Sequence, residues 1–110
     1  SGHHTIEANI TSQYEQHLRA ILDLPLGNTD ALCPAVMINL LGEKGHQGPV
    51  HYEGIEEMMQ QRGVYVHLYG KAETRDFRKM GHVTCISENM EHAKALARKA
   101  MSTIKVKASV

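Results

Sequence analysis

Two runs of strand-forming residues, joined by a short charged connection, most constrain how this chain can fold. The first run, Val64 to Tyr69, alternates Val, Val and Leu with Tyr, His and Tyr, the period expected of a strand with one buried face. The second run, Met80 to Ile86, is mostly apolar and follows after ten residues. Neighbouring strands joined by so short a connection pair antiparallel, so the sequence predicts a β-hairpin.

The segments on either side of this hairpin carry the spacing of helices. Ser12 stands three residues before Glu15, which lets each side chain cap the other's backbone amide, and an apolar stripe follows, so a helix is predicted over residues 12–23. Ser87 offers a cap for a last helix. The apolar positions of that helix fall on one face and are Met90, Ala93, Leu96, Ala97, Ala100, Met101 and Ile104.

Between the first helix and the hairpin, the sequence predicts a strand, a loop and a short helix. The apolar run from Ala35 to Leu41 predicts a mostly buried strand. Residues 43–49 contain glycine and proline and predict an exposed loop, and an amphipathic pattern predicts a short helix over residues 52–61. The order of helix, strand, helix, strand, strand and helix predicts an α+β domain, a small sheet with helices packed on it.

Composition limits the classes of function that the chain can have. Its 110 residues fit one domain, and 12 Lys plus Arg balance 12 Asp plus Glu, so bulk charge favours neither nucleic acid nor an anionic membrane as a partner. No apolar stretch approaches the ~20 residues that a membrane helix needs. Cys33 and Cys85 lie in apolar runs and not in a spaced disulfide framework, so a reducing, cytoplasmic compartment is predicted.

The densest polar feature is the connection between the two predicted hairpin strands, Gly70 to Lys79, here called the basic connection. It carries four cations and two anions. Lys71, Arg75 and Arg78 could converge on one phosphate, because guanidinium groups pair with phosphate oxygens and an ammonium adds a point charge. The same charges could instead belong to a solvated hairpin end that keeps a sheet edge from aggregating.

Other chemistry is weakly supported by the residues. His67 and His82 on the predicted neighbouring strands could face each other and bind zinc, but no H-E-x-x-H or C-x-x-C motif accompanies them. Partly buried, hydrogen-bonded histidines are therefore the favoured interpretation. Neither a G-x-S-x-G elbow nor a phosphate-binding glycine loop occurs. The residues alone therefore predict an α+β domain with one basic loop, and no catalytic or metal-ligating residue.

Several segments together resemble one known family. The chain is similar to the carboxy-terminal part of the 5-(carboxyamino)imidazole ribonucleotide synthases, ATP-grasp enzymes of purine biosynthesis. The matching segments keep the family's order and approximate spacing, and they are Ser1 to Thr5, Thr11 to Ala20, Pro34 to Gly42, His67 to Lys71 and Arg78 to His82.

The resemblance implies an activity for the complete protein. Such enzymes use ATP and magnesium to activate bicarbonate and carboxylate the amine of aminoimidazole ribonucleotide. Residues 1–10 would end the ATP-grasp domain, and residues 11–110 would form the small carboxy-terminal domain. Most of the ATP site would then lie outside this chain, which alone is expected to bind no cofactor and to have no turnover. The resemblance also implies a cytoplasmic homodimer. The alternative is a stand-alone, non-catalytic module that binds a small phosphate ester.

The resemblance further implies substrate-binding residues. Ser1 would help to hold the ribose phosphate of the substrate, with His3 close behind it. Lys71 and Arg78 are the foremost candidates in the basic connection, and Arg75 and Lys79 stand behind them. The family often has Arg-Pro-Gly-Arg-Lys where this chain has Arg-Asp-Phe-Arg-Lys, a replacement that adds an acid and changes the expected turn.

Overall fold

The computed structural model of the protein describes residues 5–9, 11–12, 27 and 33–109. Apart from Ser12, the helix predicted over residues 12–23 lies outside the described residues. The described part is an α+β fold with two three-stranded antiparallel sheets, which confirms the predicted class. Its elements, in chain order, are α1 (Thr5–Ala8), β1 (Ala35–Leu41), β2 (Gly48–Glu53), α2 (Ile55–Met59), β3 (Val64–Leu68), β4 (Glu73–Thr74), β5 (Lys79–Ile86), α3 (Met90–Thr103) and β6 (Lys105–Ala108).

The first sheet has the strand order β1-β5-β3, and it contains the predicted hairpin. Strand β3 pairs with β5 from Val64 opposite Cys85 to Leu68 opposite Gly81. Strand β1 pairs with the other edge of β5. Because β5 is central and is covered on both faces, every residue from Met80 to Cys85 is buried. The three predicted strands, two from apolar runs and one from alternation, are confirmed.

The second sheet has the order β4-β2-β6, and sequence reasoning missed it. Residues 48–53 form strand β2, so the predictions of a loop through residue 49 and of a helix from residue 52 are wrong; the helix α2 is confined to Ile55–Met59. The reason is that Val50 and Tyr52 pack against the core in a period of two, which is too short a pattern to recognise beside glycine and proline. Strand β6, in the basic tail, pairs with β2 and buries Val106.

Helix α3 packs on β1 and β5 through small side chains. Ala93, Ala97 and Ala100 are buried, so the helix approaches the sheet closely. Met90 and Met101, which were predicted on the buried face, are 41% and 62% exposed. The close contact is made through the alanines, so residues at the two edges of the apolar stripe remain in solvent. The helix is not capped by Ser87 as predicted. Asn89 caps it, and its side-chain oxygen accepts hydrogen bonds from the backbone amides of Glu91 and His92.

Among the described residues, no helix is both long enough and apolar enough to cross a membrane.

Candidate functional site

The basic connection is braced by its own cations. Nζ of Lys71 donates a hydrogen bond to the backbone carbonyl of Lys79 at 2.6 Å. Nη1 of Arg78 donates to the carbonyl of Glu73 at 2.9 Å. Each half-buried cation thus binds backbone on the opposite limb of the same loop. An ammonium has three donors and a guanidinium has five, so each of these bonds leaves donors that could bind an oxyanion.

The other two candidate cations of the loop are exposed. Lys79 contributes through its backbone, since its carbonyl is the acceptor for Lys71. The carbonyl of Arg75 accepts from the backbone amide of Arg78 at 3.1 Å. Lys71 and Arg78 are therefore each bonded to backbone within the same loop, whereas the side chains of Arg75 and Lys79 are exposed at its surface.

The tip of the basic connection is a tight turn over residues 75–78. Its third residue, Phe77, has a φ of 59°, and it is the only non-glycine residue with a positive φ in the described part of the chain. A turn closed by the bond from Arg78 to Arg75, with a left-handed third residue, is of type II. Proline and glycine are the preferred central pair of that turn, so Asp76 and Phe77 retain the geometry that Pro-Gly favours, at the cost of strain at Phe77.

Contacts with the end of β1 hold this turn in place. The backbone amide of Gly42 donates to the carbonyl of Arg78 at 2.9 Å, and the carbonyl of Gly42 accepts from the amide of Phe77 at 2.9 Å. A Cβ atom at Gly42 would collide with the carbonyl oxygen of Arg75 and the hydroxyl of Thr74. Asp76 adds a further tie, because its Oδ1 accepts from the backbone amide of Gly45 at 2.9 Å. Glycine at position 42 is thus required by close approach.

A chain of polar side chains lies beside the start of the basic connection. His67 and His82 face each other across β3 and β5, and their rings stack with centroids 4.6 Å apart and an interplanar angle of 18°. The hydroxyl of Tyr69 lies 3.0 Å from Nδ1 of the buried His82. Nε2 of His67 lies 2.9 Å from Oε1 of Glu7. The predicted facing of the two histidines is confirmed.

The arrangement of these side chains does not have the form of a zinc site in the described part of the chain. There, no group of three or more His, Cys, Asp and Glu residues is placed to hold a metal ion. Burial raises the pKa of the nearby Cys85 thiol to about 11, so its thiolate is scarce at neutral pH.

Sequence reasoning missed Tyr69 and Glu7 as members of this polar chain. Tyr69 could have been predicted, because it is two residues from His67 and residues at that spacing lie on the same face of a strand. Glu7 could not be found from spacing, since it is sixty residues from its partner. The candidates Ser1 and His3 lie outside the described residues. The contact of Glu7 with His67 places α1 beside the carboxyl end of β3, where the basic connection begins.

Comparison with known proteins gives the family. The model of the phosphoribosylaminoimidazole carboxylase C-terminal domain matches residues 35–96, which is more than half of the chain, and the chain belongs to this family. The resemblance seen in the sequence is thereby confirmed.

Named relatives and solved structures agree with this assignment. The N5-carboxyaminoimidazole ribonucleotide synthase of Bacillus subtilis is 43% identical over 80% of this chain, which covers 22% of the relative. The phosphoribosylaminoimidazole carboxylase of Saccharomyces cerevisiae is also 43% identical, over 82% of this chain and 16% of its own length. The crystal structure of N5-carboxyaminoimidazole ribonucleotide synthetase from Thermotoga maritima has a TM-score of 0.94 and 51% identity, and it covers 99% of this chain and 30% of that one. The chain spans about a fifth of the length of these curated relatives.

Proposed function

We propose that this chain is the carboxy-terminal part of an ATP-dependent N5-carboxyaminoimidazole ribonucleotide synthase of purine biosynthesis. Support comes from relatives that carry this name. It comes also from a solved Aspergillus clavatus relative, 31% identical, in complex with ADP and 5-aminoimidazole ribonucleotide. In the complete enzyme, ATP would activate bicarbonate, and the activated carboxyl group would be transferred to the amine of the ribonucleotide.

Within that enzyme, the basic connection binds the phosphate of the ribonucleotide. The observation that carries this proposal is the bracing of Lys71 and Arg78 by backbone carbonyls on one loop. Both cations are held before any ligand arrives, which lowers the entropy cost of binding. Neither forms an ion pair with a described carboxylate. Phosphate suits this pair, because a guanidinium fork and an ammonium are its common protein partners.

The alternative role as a solvated hairpin end fits the structure less well. The basic connection is not a free end, since its strand β4 pairs with β2 of the second sheet. Lys71 and Arg78 are half-buried, whereas cations that only guard a sheet edge need no backbone partners. Within residues 33–109, no contact favours a stand-alone phosphate-ester module over a part of the larger enzyme.

The remaining roles follow the resemblance. In the complete enzyme, Ser1 would contact the ribose phosphate, with His3 close behind it. Residues 1–10 would end the ATP-grasp domain, and residues 11–110 would form the terminal domain. Holding the phosphate fixes the distance between the substrate amine and the activated carboxyl group, which is the contribution of this part to catalysis. The described residues offer no donor set for magnesium, and no step is assigned to it. The cytoplasmic homodimer stays a prediction.

Steady-state kinetics of the full-length protein tests this function. Lys71→Ala and Arg78→Ala should each raise the KM for the ribonucleotide by about tenfold or more and leave the KM for ATP unchanged, because each removes a charged hydrogen bond to phosphate. Lys99→Ala and Arg98→Ala, which alter exposed cations on α3, are matched controls and should change neither KM. An unchanged ribonucleotide KM in both Lys71 and Arg78 variants would contradict the proposal.

A further inference from the structure

The Tyr69 side chain connects the basic connection to the interior of the first sheet. Tyr69 follows β3 directly, and its backbone amide donates to the carbonyl of Met80 at 3.0 Å. Its hydroxyl lies 3.0 Å from Nδ1 of His82. Nζ of Lys71 lies 5.8 Å from the centroid of the tyrosine ring, within the range of a cation–π interaction. The ring therefore lies between a fixed histidine and a candidate phosphate ligand.

His82 is a rigid anchor for that ring. It is 2% exposed, it lies in the central strand β5, and its imidazole stacks on that of His67. An imidazole nitrogen can accept from a phenol or donate to it, so the bond to Tyr69 forms in either tautomer of the histidine. The position of the tyrosine ring is thus set by the core of the sheet and not by the exposed loop that follows.

The backbone between Tyr69 and Lys71 is shaped to bring the two side chains together. Gly70 has a φ of 73°, a conformation that glycine adopts without strain. Lys71 follows this glycine, and its ammonium lies over the tyrosine ring and also reaches the carbonyl of Lys79. One face of the ammonium is therefore directed to the ring and another to a carbonyl.

We propose that Tyr69 is a positioning residue for phosphate binding: its ring, anchored by His82, holds the ammonium of Lys71 toward the site where the phosphate of a ribonucleotide binds. The inference rests on the proposed function. A lysine side chain has many rotamers, and restricting them before the ligand arrives lowers the entropy cost of binding. Tyr69 itself need not touch the substrate, so its effect requires Lys71.

A double-mutant cycle in the full-length protein tests this dependence. Tyr69→Leu removes the ring and should raise the KM for aminoimidazole ribonucleotide about fivefold, with kcat and the KM for ATP unchanged. Tyr69→Phe keeps the ring but loses the bond to His82, and it should raise that KM only about twofold. In a Lys71→Ala background, neither Tyr69 substitution should raise the KM further. Tyr65→Leu, which removes a similarly exposed tyrosine at the other end of β3, is the control and should leave all constants unchanged.

The outcomes separate this inference from the function on which it rests. If Lys71→Ala raises the KM and Tyr69→Leu does not, Tyr69 is not a positioning residue, while the function of the basic connection stands. If Tyr69→Leu raises the KM equally with and without Lys71, the tyrosine acts by another route and the inference is overturned. If Lys71→Ala leaves the KM unchanged, the inference about Tyr69 is overturned, and the proposed function is overturned with it only if Arg78→Ala also leaves that KM unchanged. Thermal unfolding shows whether each variant is folded. If Tyr69→Leu does not fold, the KM of Tyr69→Phe with and without Lys71→Ala decides the question.

Discussion

Two regions of this molecule hold exposed or half-exposed cations in different ways. In the second sheet, Nζ of Lys107 lies 2.9 Å from Oε1 of Glu53, so a carboxylate neutralises the charge. In the basic connection, Lys71 and Arg78 bond to backbone carbonyls, which orient a cation but leave its charge in place. Orientation without neutralisation is what distinguishes a candidate anion site from an ordinary surface ion pair.

The acids of the basic connection support this contrast. Among the described residues, none of the four cations of the connection forms an ion pair. Asp76 uses its carboxylate on the backbone amide of Gly45 and so holds the loop to the β1–β2 connection. The loop is therefore rigidly held and remains locally positive, which is the electrostatic condition for binding a phosphate.

The largest expected effect comes from disturbing the contact that holds the basic connection. Gly42→Ala would drive a methyl group into the carbonyl oxygen of Arg75, which is backbone and cannot rotate away. We expect a loss of about 3 kcal/mol in the free energy of unfolding, measured by urea denaturation of the chain.

Gly45→Ala is the matched control for that substitution. Gly45 has a φ of 84° but has nothing within 4 Å of an added Cβ, so its replacement should cost only about 1 kcal/mol of backbone strain. Equal losses for the two variants would show that close approach at Gly42 does not brace the loop.

A smaller effect, of opposite sign, is expected at the tip of the turn. Phe77→Gly removes the strain of a left-handed phenylalanine that is 63% exposed and so buries little. Allowing for the greater chain entropy of glycine, the free energy of unfolding should rise by about 0.5–1 kcal/mol. Phe77→Ala keeps a Cβ atom at the same φ and should bring no gain. A loss of stability in Phe77→Gly would indicate that the ring contributes a contact.

The smallest effect is expected from the neutralised pair. The hydrogen bond and charge of Lys107 lower the pKa of Glu53 from 4.5, and Glu53 raises the pKa of Lys107 from 10.5. The ion pair therefore stabilises the fold fully at pH values between 4.5 and 10.5, where both groups are charged in the folded and the unfolded chain. It is lost as the pH falls through the lowered pKa of Glu53, or rises through the raised pKa of Lys107.

Lys107→Met measures this contribution. The urea midpoint of the variant should lie slightly below that of the parent chain at neutral pH, and the difference should vanish in acid and shrink at high salt. A difference that persists below the pKa of Glu53 would show that the lysine stabilises by packing and not by charge.

The parts of the fold that the sequence predicted are those with long local patterns. Strands β1, β3 and β5 follow from apolar or alternating runs of five or more residues. Strand β2 has only Val50 and Tyr52 as inward positions, and β4 has two residues, so local patterns do not identify them. Their pairing depends on contacts between distant segments.

The candidate site divides in the same way. Lys71 and Arg78 could be proposed from local charge and from the family resemblance, but their bracing by carbonyls depends on the fold of the connection. From the sequence, Gly42 could be predicted only to end a strand. The structure shows that the backbone of Arg75 occupies the space that a side chain at position 42 would need. The position of the Tyr69 ring depends on its contact with His82, which is thirteen residues away on the neighbouring strand β5.

The most direct test of the central claim is a crystal structure of the full-length protein with aminoimidazole ribonucleotide bound. The account predicts that oxygens of the ribonucleotide phosphate lie within about 3 Å of Nζ of Lys71 and of the guanidinium of Arg78, with both bonds to the carbonyls of the basic connection retained. A ribonucleotide whose phosphate is bound elsewhere, with the basic connection in contact only with solvent, would contradict it.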